Sequence, residues 1–156
     1  MRCMNARSVV ALAAERGGFD ADEIVRLFGS APLDFPVIFR RHLPLYVDLN
    51  GMRGITIFQR VWLLDRVVDA APIDLIGLIR HEAEHVAQQR TNPLLFYPRY
   101  LVDWLLGYLR KNRHGTLAAL RRRFGRAHAA YRFIPDERRA YAAGLRLEAR
   151  IRRAYL

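Results

Sequence analysis

One segment of the chain has strong helix signals at both ends, and it constrains the fold more than any other feature. Pro72 stands at a first helical turn, and Asn92-Pro93 marks the far end. The sequence therefore predicts a helix of about 19 residues over 72–90. Its first half contains the apolar run 75–79, so we expect this helix to be buried.

The middle of the predicted helix has the pattern His81-Glu82-Ala83-Glu84-His85, or HExxH. Four residues make about 1.1 turns, so both imidazoles project from one face about 6 Å apart along the axis and can bind one metal ion. Glu82 points about 100° away from His81, where it can hold a water molecule bound by that ion. The alternative is a helix with two surface histidines, and the preceding apolar run argues against it.

Such a pattern indicates metal-assisted hydrolysis of an amide. A bound zinc ion lowers the pKa of its water toward about 7, Glu82 accepts the proton, and the hydroxide attacks a carbonyl polarised by the metal. A catalytic zinc usually has three protein ligands, and Thr91 stands where an extended motif has a further histidine. The downstream candidates for the third ligand are His114, His128, Asp136, Glu137 and Glu148.

Glu137 and His128 differ in their predicted surroundings. Glu137 stands near the start of a last helix that begins at Pro135, on one stripe with Tyr141, so it can point into the fold beside that tyrosine. His128 lies on an apolar stripe, where a core histidine without metal is the simpler interpretation. Tyr141 and His128 are also candidate catalytic residues that stabilise the developing oxyanion.

Two segments of the chain resemble a known family. Residues 55–58 followed by 78–89 look like the strand and "LxxHExxHVxQQ" motif of small, largely uncharacterised bacterial zinc metallopeptidases of gluzincin type, some of them associated with contractile injection systems. Residues 131–141 resemble the "YR-x-x-P-x-E-R-x-A" segment of such proteins. The resemblance covers roughly residues 50–145 and is specific at the two motifs.

The resemblance implies an activity and a set of site residues. It implies a zincin-like peptidase that acts on peptide or protein substrates, with His81, His85 and Glu137 as zinc ligands and Glu82 as general base. It also implies an edge strand beside the HExxH helix that binds the substrate by strand addition. Residues 54–58 are expected to form that strand.

The whole chain, 1–156, is predicted to be one domain of α+β class, mainly helical, with a small antiparallel sheet ahead of the HExxH helix. We expect a helical N-terminal segment over 1–35, the sheet over 36–66 and a helical C-terminal part over 93–156. Within the sheet, residues 45–49 alternate and lead into Asn50-Gly51, a favoured type I′ turn.

The apolar stretch 94–109 is interrupted by Arg99 and Asp103, and it is too short and too charged to span a bilayer. A core helix is the favoured interpretation. The alternative is an interfacial helix held by its aromatic residues and by the cations that follow it.

The net charge of +11 is concentrated at one end of the chain. Residues 104–156 contain 14 of the 26 Lys and Arg but only three acids, which accounts for the whole excess. A solvated basic face is favoured, with salt-sensitive, nonspecific contact to polyanions or an anionic membrane surface. A metal-retaining, non-catalytic adaptor that docks on an anionic partner is the alternative to the enzyme. A nucleic-acid binder without metal is the least favoured hypothesis, and no specific nucleic acid is predicted.

The single cysteine, Cys3, can form no internal disulfide, so any metal must be held by histidine and carboxylate. The apolar run at 9–14 is short for a secretory signal, and a cytoplasmic location is predicted.

Overall fold

A computed structural model describes residues 2–43, 53–109 and 126–156, and for 126–129 it describes the backbone alone. The strands are β1 (Arg2–Asn5), β2 (Pro36–Arg40), β3 (Gly54–Ile57) and β4 (Arg60–Leu64). The helices are α1 (Ala6–Gly17), α2 (Ala21–Leu27), α3 (Pro72–Thr91), α4 (Phe96–Leu109), α5 (Arg126–Phe133) and α6 (Pro135–Tyr155). A short 3-10 helix, Asp65–Asp69, links β4 to α3.

The four strands form one mixed sheet in the order β1-β2-β4-β3. β1 is antiparallel to β2, and β3 is antiparallel to β4, but β2 and β4 are parallel. The predicted mainly helical α+β class with a small sheet is confirmed, but the sheet is mixed where a small antiparallel one was expected. β3 and β4 form a hairpin in which β4 is the inner strand, next to β2 and parallel to it. β3 is therefore an edge strand of the sheet.

The hairpin between β3 and β4 turns at Phe58 and Gln59, whose φ angles are 48° and 59°. Both residues therefore adopt the left-handed conformation that a type I′ turn requires. The strand expected at 54–58 is present as β3. The strand predicted at 45–49 and the Asn50-Gly51 turn lie outside the described residues.

The N-terminal segment is helical as expected, and it contains two short helices, α1 and α2. Asp20 caps α2, because its side chain accepts a 2.8 Å hydrogen bond from the backbone NH of Glu23. The segment also contains β1, which the sequence did not predict. Most β1 residues are exposed, so this strand has no alternation of apolar and polar residues to identify it.

α3 is the central helix of the fold. It packs against α6 along most of its length and against α1 on another side, and the core also includes β2 and β4. Its two ends agree closely with the predicted 72–90 helix. The predicted last helix, beginning at Pro135, is confirmed as α6.

α4 is not the core helix that the sequence favoured. Only Phe96 and Gly107 are buried along it, and most of its leucines are exposed. The aromatic side of α4 faces the protein, so its aliphatic side is left outside. In the part of the chain that the structure describes, no helix combines the length and apolar character needed to cross a membrane.

Candidate metal centre

His81 and His85 of α3 form one side of a buried cluster. Their Nε2 atoms are 3.2 Å apart, and their rings meet nearly edge to face, with centroids 4.8 Å apart. Both side chains are buried. The helical spacing i, i+4 thus brings the two imidazole nitrogens together as the sequence predicts.

Glu137, in the first turn of α6, completes the cluster. Its Oε1 is 3.1 Å from Nε2 of His85, and its Oε2 is 3.6 Å from Nε2 of His81. Ligand atoms bound about 2.0–2.1 Å from a tetrahedral metal ion are separated by roughly 3.3 Å, which is close to each of these contacts. The two Glu137 contacts involve different oxygens, and one ligand atom from each of the three residues lies within 4.8 Å of the others. Among the described residues, these three form the group whose ligand atoms are spaced for a metal ion.

Oε2 of Glu137 is buried and has no hydrogen-bond partner. A buried carboxylate oxygen without a partner is costly, because nothing replaces the water that it has lost. A cation between Glu137 and the two histidines would satisfy this oxygen. The buried His-His-Glu group can therefore hold a metal ion, and its nitrogen and carboxylate donors fit one.

The electrostatics of the three side chains also favour one positive charge among them. Burial and the charge of His85 lower the pKa of His81 to about 3. Burial also disfavours charge on His85, but the charge of Glu137 and a hydrogen bond to it raise the pKa of His85 to about 9. Burial raises the pKa of Glu137, but the charge of His85 outweighs it and lowers that pKa overall. A proton on His85 thus balances the negative charge of the Glu137 carboxylate, as a bound cation would.

Residues outside the cluster hold its ligands in place. The hydroxyl of Tyr100 donates a 2.6 Å hydrogen bond to Oε1 of Glu137. The side-chain oxygen of Gln88 lies 2.9 Å from Nδ1 of His85, which favours the tautomer with Nε2 free to bind a metal. The backbone of Ala140 is a hydrogen-bonding partner of His81.

The start of α6 is itself anchored, through Asp136. Nη2 of Arg99 donates to both carboxylate oxygens of Asp136, at 2.8 and 2.9 Å. The backbone carbonyl of Asp136 accepts a 3.3 Å hydrogen bond from Gln88. Asp136 is therefore a support for its neighbour Glu137 and is not part of the ligand cluster.

Glu82 lies beside the cluster, under the edge strand. Its Oε2 accepts a 2.5 Å hydrogen bond from the hydroxyl of Thr56, and burial raises its pKa. Its Oε1 lies next to Gly54, since a Cβ on that glycine would be 3.4 Å from this oxygen. The carboxylate is thus fixed through one oxygen and faces the strand with the other.

The edge strand is tied to the helices that flank the cluster. The side chain of Gln89 donates a 3.1 Å hydrogen bond to the carbonyl of Thr56 and accepts one of 2.7 Å from the NH of Gln59. The hydroxyl of Tyr97 accepts a 2.6 Å hydrogen bond from the NH of Phe58. These bonds hold β3 and its turn against α3 and α4.

An open cavity of about 670 Å³ lies between β3 and α4. Glu82, His85 and Glu137 contribute to its wall, so the cluster borders this space. The rest of the lining is mainly apolar and aromatic, and it comes from β3, α4 and α5. The cluster therefore borders a mainly apolar space of the size that small-molecule and peptide sites have.

The remaining predicted catalytic residues and candidate ligands lie in different places. The ring of Tyr141 contacts the ring of His81 edge to face, with centroids 4.5 Å apart, and the guanidinium of Arg132 lies 4.2 Å above it. His128 belongs to α5, but its side chain lies outside the described residues, as does all of His114. Glu148 lies against Gly77, about one turn before His81, and it is not part of the ligand cluster.

Sequence reasoning missed several residues of the site. Gln88 and Gln89 are the two glutamines that end the LxxHExxHVxQQ motif, so their presence in that motif was a usable signal. Thr56 and Tyr100 gave no such signal. Tyr131 lines the cavity, and burial raises its pKa well above the usual value, so its hydroxyl stays protonated.

Comparisons with known proteins give no match, whether with family models, curated proteins or solved structures.

Proposed function

We propose that the protein is a zinc-dependent peptidase with His81, His85 and Glu137 as ligands and Glu82 as general base. The observation that supports this proposal most directly is the convergence of the buried His81, His85 and Glu137, with one ligand atom from each within 4.8 Å of the others, beside a cavity whose wall also contains Glu82. A structural metal site needs neither the extra carboxylate nor the cavity.

The donor set favours zinc. Two imidazole nitrogens and one carboxylate are a ligand set of catalytic zinc sites, which leave one coordination position open. When bound, zinc supplies a Lewis acid that polarises a carbonyl and acidifies a water ligand.

Glu82 performs the proton transfers of the proposed reaction. Thr56 holds Oε2, so Oε1 is the oxygen that takes a proton from the attacking water and later gives it to the leaving amine. Its raised pKa helps it to keep the proton between the two steps. Loss of the carboxylate should therefore stop hydrolysis without removing the ligands.

Two described tyrosines are candidates for stabilising the oxyanion. Tyr131 lines the cavity, and Tyr141 packs on His81; burial raises the pKa of each, so each keeps a hydroxyl proton to donate. His128 remains a candidate on the sequence argument alone. The apolar cavity beside β3 supports a peptide or protein substrate with an apolar side chain near the scissile bond.

Glu82→Gln tests the proposal. Protein purified without added metal should contain about one zinc per chain, and Glu82→Gln should keep it while hydrolysis of an unfolded protein falls by about 10² or more. His81→Ala should lose the ion. Glu84→Gln is the matched control, because Glu84 pairs with Arg80 on the outer side of α3 and should leave hydrolysis unchanged.

The results distinguish the enzyme from the adaptor. Equal chelator-sensitive activity in wild type and Glu82→Gln would reject the mechanism. Full zinc occupancy with no chelator-sensitive cleavage would favour the non-catalytic adaptor. A protein without zinc would reject both.

A further inference from the structure

The outer side of α4 is a continuous apolar surface, the leucine stripe, formed by Leu101, Val102, Leu105, Leu106 and Leu109. Each of these side chains is between 45% and 63% exposed. At 100° per residue they occupy an arc of about 140°, so they form a single face of the helix. Exposed apolar residues scattered singly need no explanation, but a contiguous face of this kind marks an interaction site.

The orientation of α4 is set by its other side. Phe96 and Gly107 are buried, and Tyr97, Tyr100 and Trp104 line the cavity beside the candidate metal centre. The aromatic side is therefore the one that holds α4 to the protein. The leucine stripe is therefore exposed although α4 is packed against the protein through its aromatic side.

The charges around the stripe indicate what covers it. The stripe itself is uncharged, and at its border Asp103 pairs with Arg99 at 3.8 Å. In sequence, residues 110–125, directly after α4, include six Lys and Arg and no acid, and the chain as a whole has a net charge of +11. A second copy of the chain would bring like charges together, which disfavours self-association. An anionic lipid surface accommodates both the apolar face and the positive charge.

We propose that the leucine stripe docks the protein on an anionic lipid surface, with α4 lying in the plane of the interface. The leucines enter the boundary between headgroups and acyl chains, and the basic chain adds electrostatic attraction. Leu101 lies both on the stripe and in the cavity wall, so the docked face borders the cavity. Docking through this face requires neither the metal nor hydrolysis.

Vesicle flotation of the full chain tests the proposal, with phosphatidylcholine vesicles that contain or lack about 30% phosphatidylglycerol. The protein should bind the anionic vesicles and bind the neutral ones much less. Leu106→Glu should weaken binding by roughly tenfold or more, since a charge then enters the apolar boundary. Leu145→Glu on α6 is the matched control, because Leu145 is 61% exposed against 60% for Leu106 and the charge change is the same.

Leu106→Ala keeps the charge and should weaken binding by a smaller factor, and thermal unfolding confirms that each variant is folded. Equal binding of Leu106→Glu and Leu145→Glu would show that only net charge matters and would overturn the proposal. Absence of vesicle binding would also overturn it. A dimer in analytical ultracentrifugation that is lost in Leu106→Glu, without vesicle binding, would show that the stripe pairs with a second copy instead.

Discussion

Gly144 of α6 lies directly against Gly77 of α3. A Cβ on Gly144 would be 2.8 Å from the carbonyl oxygen of Gly77 and 3.7 Å from Cβ of His81. Only hydrogen fits at this crossing, so the two backbones approach more closely than side chains would allow. Glu137 precedes Gly144 by seven residues, about two turns, and so lies on the same face of α6. The glycine contact therefore sets the distance from Glu137 to the histidine pair.

Gly144→Ala should weaken both stability and metal binding. The added methyl group forces α6 away from α3, which should cost roughly 1–3 kcal/mol of the free energy of unfolding. The same shift moves Glu137 from His81 and His85, so zinc affinity should fall by roughly tenfold or more. Chemical denaturation and competition with a chelator measure the two effects. Leu145→Ala is the control, because Leu145 follows Gly144 on the exposed side of α6, and it should change neither stability nor zinc affinity. An unchanged zinc affinity in Gly144→Ala would refute the role of the glycine contact.

Tyr100→Phe should weaken zinc binding without unfolding the protein. The substitution removes the 2.6 Å hydrogen bond to Oε1 of Glu137 but keeps the aromatic ring. Loss of a hydrogen bond that orients a ligand typically lowers metal affinity by about 10–100-fold. Competition with a chelator gives the affinity. Tyr155→Phe removes a 2.5 Å hydrogen bond to Glu23 at the far end of α6 and serves as control. If both variants bind zinc like the wild type, Tyr100 does not position the ligand.

The sequence predicted the parts of the site that depend on one helix at a time. The i, i+4 spacing of His81 and His85 fixes their common face, and the stripe through Glu137 and Tyr141 correctly indicated that Glu137 points into the fold. Both inferences use only helical periodicity. That periodicity did not decide the third ligand by itself, because Asp136 stands next to Glu137 and the structure buries both.

The residues that support the site could not be found in this way. Thr56 is 26 residues from Glu82, and Tyr100 is 37 residues from Glu137, so each contact depends on how separate elements pack. The exposure of α4 was missed for a related reason. This helix is apolar on both its aromatic and its aliphatic side, and periodicity does not tell which of two apolar sides is buried.

The metal-free protein should lose stability as the pH rises from about 6.5 to about 9. His85 has a pKa of about 9 in the folded state, against an ordinary value of 6.5 for histidine, so the folded state binds an extra proton in this range. The stability that this proton confers disappears as the proton leaves. Scanning calorimetry with a chelator should show the melting temperature falling by about 5 °C or more over this range. Zinc should remove most of the slope, because it replaces the proton. A melting temperature that rises from pH 7 to 9 without zinc would contradict the His85–Glu137 pairing.

Gln59→Gly should stabilise the protein. Gln59 and Phe58 both have positive φ angles in the β3–β4 turn, where glycine is favoured at the second position and a residue with a Cβ is strained. The gain should be about 0.4–1 kcal/mol in the free energy of unfolding, reduced by the loss of an exposed hydrogen bond from Arg90 to the side chain of Gln59. Gln59→Ala loses the same hydrogen bond but keeps the Cβ, so it should be no more stable than wild type. Chemical denaturation compares the three proteins, and glycine and alanine variants of equal stability would show that the turn is not strained at this residue.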